Sequence, residues 1–522
     1  MKILTLYSIA FFFITLPFVA RSQDDSLAFK ITNEVAETYL IRESFWLNSI
    51  NSSMFYQCGV RNYSKVELNY GLEKASYKRV SDPAKNAVTG FNTTGMKSYK
   101  KLHFLGTLDY NHQISKDIDW SLMMDAERDN PFMIADSIGG DWIKDRYTLG
   151  LKVCSDPMWN FIHFGINMNY AVAMGGRDND PRPKSLVKNI RIIPSVAFKL
   201  GSRNNLGISY IYRDYMQDID VMIKSGVGSA VFYKIMGLAL KENPLTKSSY
   251  DYRIEAFEKG VSLFYATSLD GASLISEGTY TLSTEKDIYS PYASITNPQT
   301  NEVSLNPTVD VRFSEKQYDF SLGIDFKSSR MPQKISLGLS YDDGKLYNHG
   351  TSQVEYTRVR QTVSVKYTAL LNASDIHKAT TLTIGSNLTN EEAIQAYYAS
   401  RKMKSLTAYS QVNQAFNIFG REFCAEINLR GKFNLHSDLN IHPESVFIEP
   451  ETAITKPVIW SNYYYDAANW ISPGIAITYY PILSKQFRTY MGLNWSGIIL
   501  INNYYYGNST HNFAQVKFGF LF

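Results

Sequence analysis

His436, Asp438 and His442 form the tightest grouping of metal-type ligands in a chain of 522 residues with 8 histidines and 3 cysteines. Two imidazoles and a carboxylate are a workable donor set. The trio falls in a polar stretch expected to be a solvated loop, so no metal and no cofactor is expected. Asp178 and Asp180, in Gly175-Gly176-Arg177-Asp178-Asn179-Asp180-Pro181, offer oxygens of the kind calcium takes, but without the spacing of an EF-hand loop. A turn is the expectation there. No Gly-x-Ser-x-Gly elbow, P-loop, His-Glu-x-x-His or Cys-x-x-Cys is present, and an enzyme is not expected. Cys58, Cys154 and Cys424 are too sparse for a disulfide framework and leave room for one bridge at most.

The chemistry that does recur is charge on one side of alternating segments. Cys424, Glu426, Asn428, Arg430 and Lys432 share a side between Phe423 and Phe433. Arg358, Arg360, Thr362, Ser364 and Lys366 stand opposite Val359, Val363, Val365 and Tyr367. Asp319, Ser321 and Asp325 mark a third such face. These faces suit a watery lumen, because unpaired charge turned to lipid costs about 2–4 kcal/mol near the bilayer midplane. The same groups could instead pair with one another and seal the interior. If they line a pore, Arg358, Arg360, Arg430 and Lys432 would favour anions.

The elements that must hold these faces are strands, because the dominant period from Ser64 onward is two. Val66, Leu68, Tyr70 and Leu72 alternate with Glu67, Asn69 and Glu73. Ile162, Phe164, Ile166, Met168 and Tyr170 alternate with His163, Asn167 and Asn169. Ile118, Trp120, Leu122 and Met124 read as a further strand. Such runs reach the ~9–11 residues that a tilted strand needs to cross a bilayer. Tight turns near Gly201, Ser328–Pro332, Gly420 and Pro481 contrast with long connections at about 126–144, 174–188, 214–247, 269–307, 389–402 and 435–470. Beyond residue 22 no run approaches the ~20 apolar residues of a membrane helix, and mean hydropathy is −0.23. Yet 37 Tyr, 29 Phe and 7 Trp make the chain 14% aromatic, which suits the aromatic girdles of a barrel.

The expected fold is therefore all-β: a transmembrane antiparallel β-barrel of the bacterial outer membrane, with short periplasmic turns and long extracellular loops. An even number of strands, roughly 14–18, lets the last pair with the first. A β-sandwich or propeller would not predict this one-sided alternation with loops of two lengths.

The ends of the chain carry addresses. Met1-Lys2, the apolar run Ile3–Ala20 and the small residues of Ala20-Arg21-Ser22 read as a cleaved signal peptide, 1–22. Residues 23–62 read as a periplasmic lead-in or short plug, with Val35, Tyr39 and Leu40 spaced for a helical face. Residues 63–522 are the expected barrel. Val516, Phe518, Phe520 and Phe522 share one face of the last strand, which resembles the insertion signal of outer-membrane barrels. That resemblance implies contact with the barrel-assembly machinery and with outer-membrane lipid. A formal charge of +4, from 53 basic and 49 acidic residues, argues against a nucleic-acid partner.

The segment Asp129-Asn130-Pro131-Phe132-Met133-Ile134-Ala135-Asp136-Ser137-Ile138-Gly139-Gly140-Asp141-Trp142, with Lys144-Asp145-Arg146-Tyr147 and Phe45–Asn48, resembles an uncharacterised outer-membrane β-barrel family of Bacteroidota with a domain of unknown function. The resemblance spans most of the mature chain. It implies an envelope location and a barrel, and it implies no substrate and no catalytic residue.

Two functional expectations follow. The first is a porin-like channel or facilitated transporter for a small polar solute. The second is a non-transporting scaffold whose outer loops, rich in Tyr463-Tyr464-Tyr465 and Tyr504-Tyr505-Tyr506, bind an envelope lipoprotein, secreted protein or polymer. A lateral-exit transporter resembling the long-chain fatty-acid family is a weaker third, because the polar faces count against an apolar pocket beneath 24–60.

Overall fold

The computed structural model describes residues 33–522 apart from 126–127, 129, 225–229, 241–244, 248, 290–293, 297–302, 306–307, 329, 397, 443–454, 482–486 and 502–504. The expected signal peptide, residues 23–32 of the expected 23–62 lead-in, and Tyr504 lie outside the described residues.

One sheet of 18 strands closes on itself. Each strand pairs antiparallel with its sequence neighbour, from Asn62–Ala75 through to Thr510–Leu521. Those two strands then pair with each other, Lys65 opposite Leu521 and Ala75 opposite His511. Closure leaves no edge with unpaired backbone groups, which is what makes a sheet tolerable in hydrocarbon. The strands run from 12 residues in Thr510–Leu521 to 21 in Ser249–Leu269 and Arg421–Ile441. They exceed the ~9–11 residues a bilayer needs, so they project beyond an apolar belt.

That belt is on the outside. Leu68, Tyr70 and Leu72, then Tyr147, Leu149 and Leu151, Leu206, Ile208 and Tyr210, Ile427 and Leu429, and Leu493 and Trp495 are all exposed. So much contiguous apolar surface on a water-soluble body would be an aggregation liability; on a barrel it is the lipid face. Val516 and Phe522 of the last strand are exposed on the same wall, while Lys517 and Gly519 turn inward.

At the end holding Asn62 and Leu521 the connections are 100–101, 156–161, 201–203, 270–271, 327–332, 372–379, 419–420 and 481–487. At the other end they are 76–84, 119–139, 178–181, 223–248, 290–307, 349–352, 396–398, 442–468 and 502–509. Several differ from the expected loops. The expected loops at 174–188 and 389–402 are tight connections between long strands, and 269–307 contains the strand Ala272–Tyr289. The strand Arg421–Ile441 takes in His436 and Asp438, which were expected in a loop. Above the lipid belt the outer face of a strand no longer has to be apolar, so the apolar-out alternation fades while the ladder continues. Trp120–Met124 is not a strand: Asp117 and Trp120 adopt left-handed backbone, φ 56° and 52°, and turn the chain into the barrel.

Candidate functional site

The interior is occupied from both ends. At the end with the short turns, residues 33–58 fold as four short helical turns: Glu34–Glu37, Thr38–Arg42, Phe45–Asn48 and Ser52–Cys58. Three side chains start them: Asn33 accepts from the Ala36 N–H, Ser44 from Leu47 and Asn51 from Ser53. Too short to be stable alone, these turns hold by packing. Val35, Tyr39, Leu47 and Phe55 are buried in one cluster with wall residues Met96, Cys154, Leu370, Ala415, Cys424, Tyr480 and Tyr490. The backbone of Ser53 presses so close to the wall at Gly165 that a Cβ there would lie 2.5 Å from Ser53 Cα. All three cysteines are free thiols; Cys154 and Cys424 sit in this seam.

Charge fixes the seating. Three plug carboxylates meet three wall lysines: Glu34 with Lys517, Glu37 with Lys65 at 3.1 Å, and Glu43 with Lys366 at 2.5 Å. Two more wall lysines cap plug carbonyls, Lys152 on Leu47 at 2.6 Å and Lys334 on Tyr39 at 2.6 Å. In the other direction the Glu277 carboxylate of the wall accepts from the Ile50 and Asn51 N–H groups, both at 3.0 Å, and from the Ser49 hydroxyl at 3.2 Å. Burial pushes the Glu34 carboxyl up, but Lys517 and the Thr478 hydroxyl more than offset it, and its pKa ends below the ordinary 4.5.

At the opposite end two connections form a cap. The described residues of the 119–139 connection descend into the mouth, and Phe132–Ala135 pairs antiparallel with Ala230–Met236. Leu122, Met123, Met124, Phe132, Ile134, Phe232 and Met236 pack in one cluster with inward wall residues Trp142, Val187, Ile219, Ile254, Val311 and Leu346. The fully buried pair Arg177–Asp136, at 2.9 Å, locks the descent. Asp136 also accepts from the Ile138 and Gly139 N–H groups at 2.8 and 2.9 Å. Gly139, at φ 68°, then turns the chain back toward Trp142. Of the segment 129–142, the described residues 130–142 thus close the mouth.

A second element, the helix Ser461–Ala467, is tied through Asp466 to Arg79 of the 76–84 connection at 2.9 Å and to Arg401 of the wall at 3.2 Å. Burial raises the Asp466 carboxyl, yet Arg79, Arg401 and Lys432 outweigh it and hold its pKa below 3.8. Tyr465 stacks on Tyr77, and Tyr464 on Tyr505, both with centroids 4.6 Å apart. The described members of the tyrosine clusters therefore pack on one another at the mouth.

Between cap and wall lies a cavity of about 630 Å³. Its lining includes Lys78, Arg128, Lys144, Arg146 and Arg213 against Glu73, Asp82 and Asp125, with Asn86, Asn111, Gln113, Asn189 and His511 between them. Arg146 pairs with Asp125, Arg128 with Glu285 at 2.7 Å, and His511 with Glu73 at 2.6 Å. Ala75, Val88, Ile118, Met123 and Met124 line it as well, so the compartment offers charge and amide donors to a small polar molecule beside an apolar patch.

The expected lumen residues are distributed around this interior and do not meet at one point. Arg358 pairs with Glu315 at 2.7 Å, and Arg360 with Asp342 at 2.9 Å. Lys366 goes to the plug and Lys432 donates to the Asp466 carbonyl at 2.7 Å. Asp325 stands opposite Lys334, and Asp319 accepts from Gln317 at 3.4 Å. Glu426 accepts from Asn428 at 3.2 Å. Lys366 and Arg430 are not on adjacent strands, but one level joins them through Gly385 and Tyr409. Arg430 lies 5.8 Å from the Trp470 ring centroid. Sequence reading missed Glu34, Glu37, Glu43, Lys65, Glu277, Lys517, Asp136 and Arg177. The one signal for Lys65, Glu277 and Lys517 was charge on the face opposite outward-facing neighbours; pairing across the barrel has no footprint along the chain.

A family model described as a family of unknown function (DUF6850) matches residues 54–522. No curated protein matches the chain in sequence. Among solved structures, the chain is similar to the ferric citrate transporter FecA in its unliganded form, at 9% identity and TM-score 0.42, covering 88% of this chain and 78% of that one. It is also similar to the outer-membrane transporter YddB from Escherichia coli, at 6% identity and TM-score 0.39, covering 89% and 81%. A third is Pseudomonas aeruginosa OpdK with vanillate, at 9% identity and TM-score 0.36, covering 88% and 98%.

Proposed function

The chain belongs to the DUF6850 family of unknown function, and from that premise we propose that it is a gated outer-membrane transporter for a small polar solute. The observation that carries this reading is the charged compartment of about 630 Å³ enclosed in a barrel whose outer wall is apolar. A constitutively open porin would not need an interior filled from both ends. In this account the cap admits solute from the long-loop side, the compartment holds it, and displacement of residues 33–58 releases it toward the periplasm. Val516, Phe518, Phe520 and Phe522 present the strand to the assembly machinery, and the 1–22 segment directs export. Arg430 and Lys366 set the charge preference of the path once the plug has left.

Solute-driven swelling of proteoliposomes tests the reading. Vesicles carrying the protein should swell in small polyols and small organic anions and exclude large oligosaccharides, and deletion of 33–58 should speed swelling. Impermeable vesicles with both the intact and the plug-less barrel would refute transport. The scaffold reading would then stand.

A further inference from the structure

The outer wall carries a feature that transport does not use. Lys74, Lys85 and Lys116 are direct cross-strand partners, Lys74 opposite Lys85 and Lys85 opposite Lys116. All three are exposed on the outer face, on the long-loop side. Like charges directly opposite one another on a sheet destabilise it, so a row of three calls for an anion. Among the described residues none of the three has a carboxylate partner within 4.0 Å. Glu73, beside Lys74, turns inward to His511; Asp117, beside Lys116, and Asp141, which accepts from the Asp117 N–H at 3.1 Å, form no ion pair with the row.

Directly beneath the row is a groove of about 520 Å³ lined by Leu72, Ala87, Ile114, Trp495 and Ala514. In register these five run across the wall as Ile114, Ala87, Leu72, Ala514, Trp495. Large side chains alternate with the two alanines. Strands stand ~4.8 Å apart, so each alanine leaves a slot one strand wide between two ridges, the width of an extended acyl chain. The lysines lie two residues above Leu72, Ala87 and Ile114, about 7 Å at ~3.3 Å per residue. Two apolar slots with a triple cation above them match a lipid that has several acyl chains and a phosphorylated headgroup.

We propose that this groove binds one phosphorylated, multiply acylated lipid of the outer leaflet, its phosphate held by Lys74, Lys85 and Lys116 and its chains in the Ala87 and Ala514 slots. The assignment rests on the reading of the outer wall as lipid-facing.

The test is native mass spectrometry of the full protein in neutral detergent, titrated with diphosphorylated lipid A, its dephosphorylated counterpart, or inorganic phosphate. The intact protein should retain one diphosphorylated lipid. The triple variant Lys74→Gln, Lys85→Gln, Lys116→Gln should bind it about a hundredfold more weakly, at ~1 kcal/mol per lysine. Ala87→Phe, which fills one slot and leaves the charges, should also lose lipid and serves if the triple variant does not fold. Equal retention by the triple variant, or of the dephosphorylated lipid, would overturn the proposal. Binding of inorganic phosphate as tight as that of lipid would make this a free-anion site and also overturn it. Heat-shifted gel mobility after reconstitution into phosphatidylcholine vesicles separates the two failures. A barrel that reconstitutes without lipid preference refutes only the lipid site; a protein that never reconstitutes refutes the lipid-facing wall itself.

Discussion

Replacing Glu277 by Ala should unseat the plug. The carboxylate accepts two plug N–H groups at 3.0 Å and the Ser49 hydroxyl at 3.2 Å, and on its wall side the Ser262 hydroxyl at 2.9 Å. A buried donor left without an acceptor costs about 1–3 kcal/mol, and two backbone donors lose theirs at once. Water entering the vacated space recovers part of this, so a net ~2 kcal/mol is expected, roughly a thirtyfold shift toward the unseated state. The strand pairing of Glu277 with Ser321 and Phe264 is backbone-mediated and unaffected. In planar-bilayer recordings the variant should open roughly thirty times more often than the intact protein, with the step size of a barrel lacking 33–58. Glu277→Gln retains one oxygen acceptor and should fall between. Gel mobility must show both variants folded. If the folded Ala variant opens no more often than the intact protein, the plug is not held by this carboxylate and the energetic argument fails.

Four further outcomes are expected. Arg177→Met removes the partner of a fully buried Asp136, so the cap should lose about 3–5 kcal/mol, read as faster hydrogen exchange in 120–139 with the strands still protected. The Glu34 carboxyl has a folded pKa below its ordinary 4.5. Its stabilisation is therefore full above that value and lost as pH falls through the folded pKa. Opening frequency should accordingly rise only on acidification below the ordinary carboxylate range, and Glu34→Gln should abolish that rise. Arg430→Glu reverses a cation that stands in the interior without an ion pair among the described residues, so the plug-less channel should shift toward cation selectivity in reversal-potential measurements. Arg358→Glu, by contrast, would set two carboxylates side by side with Glu315 and should chiefly destabilise the wall.

How far the sequence reveals this molecule follows from which interactions are local. Alternation along Val66–Leu72 or Phe423–Phe433 is a property of one strand, and it locates strand, outer belt and inner face together. The pairing of Phe518 with Leu68 is non-local, but an even, closed, antiparallel barrel requires it. The mouth was harder to read. Above the lipid belt the wall of 182–200 and 204–222 keeps its ladder but turns apolar residues such as Val187 and Ile219 inward, the inverse of the polar-in rule. They face inward because the descending 119–139 segment supplies an apolar partner inside the barrel. Trp120–Met124 misled for the same reason: a cap segment with both faces covered looks like a strand. The charges of the plug seat were visible as residue types. Their pairing spans 28 residues for Lys65 and Glu37, 323 for Lys366 and Glu43, and 483 for Lys517 and Glu34, and no spacing rule reaches that far.

The central claim is that residues 33–58 must leave their seat for solute to pass. Ser52 and Ser195 place their hydroxyls 3.1 Å apart across the plug–wall seam, within reach of a disulfide. In a background with Cys58, Cys154 and Cys424 replaced by Ala, Ser52→Cys with Ser195→Cys locks the plug under oxidation. Swelling of the same proteoliposomes is then measured before and after reduction. The account predicts silence when oxidised and swelling restored by reductant. Equal swelling with the plug locked would contradict it.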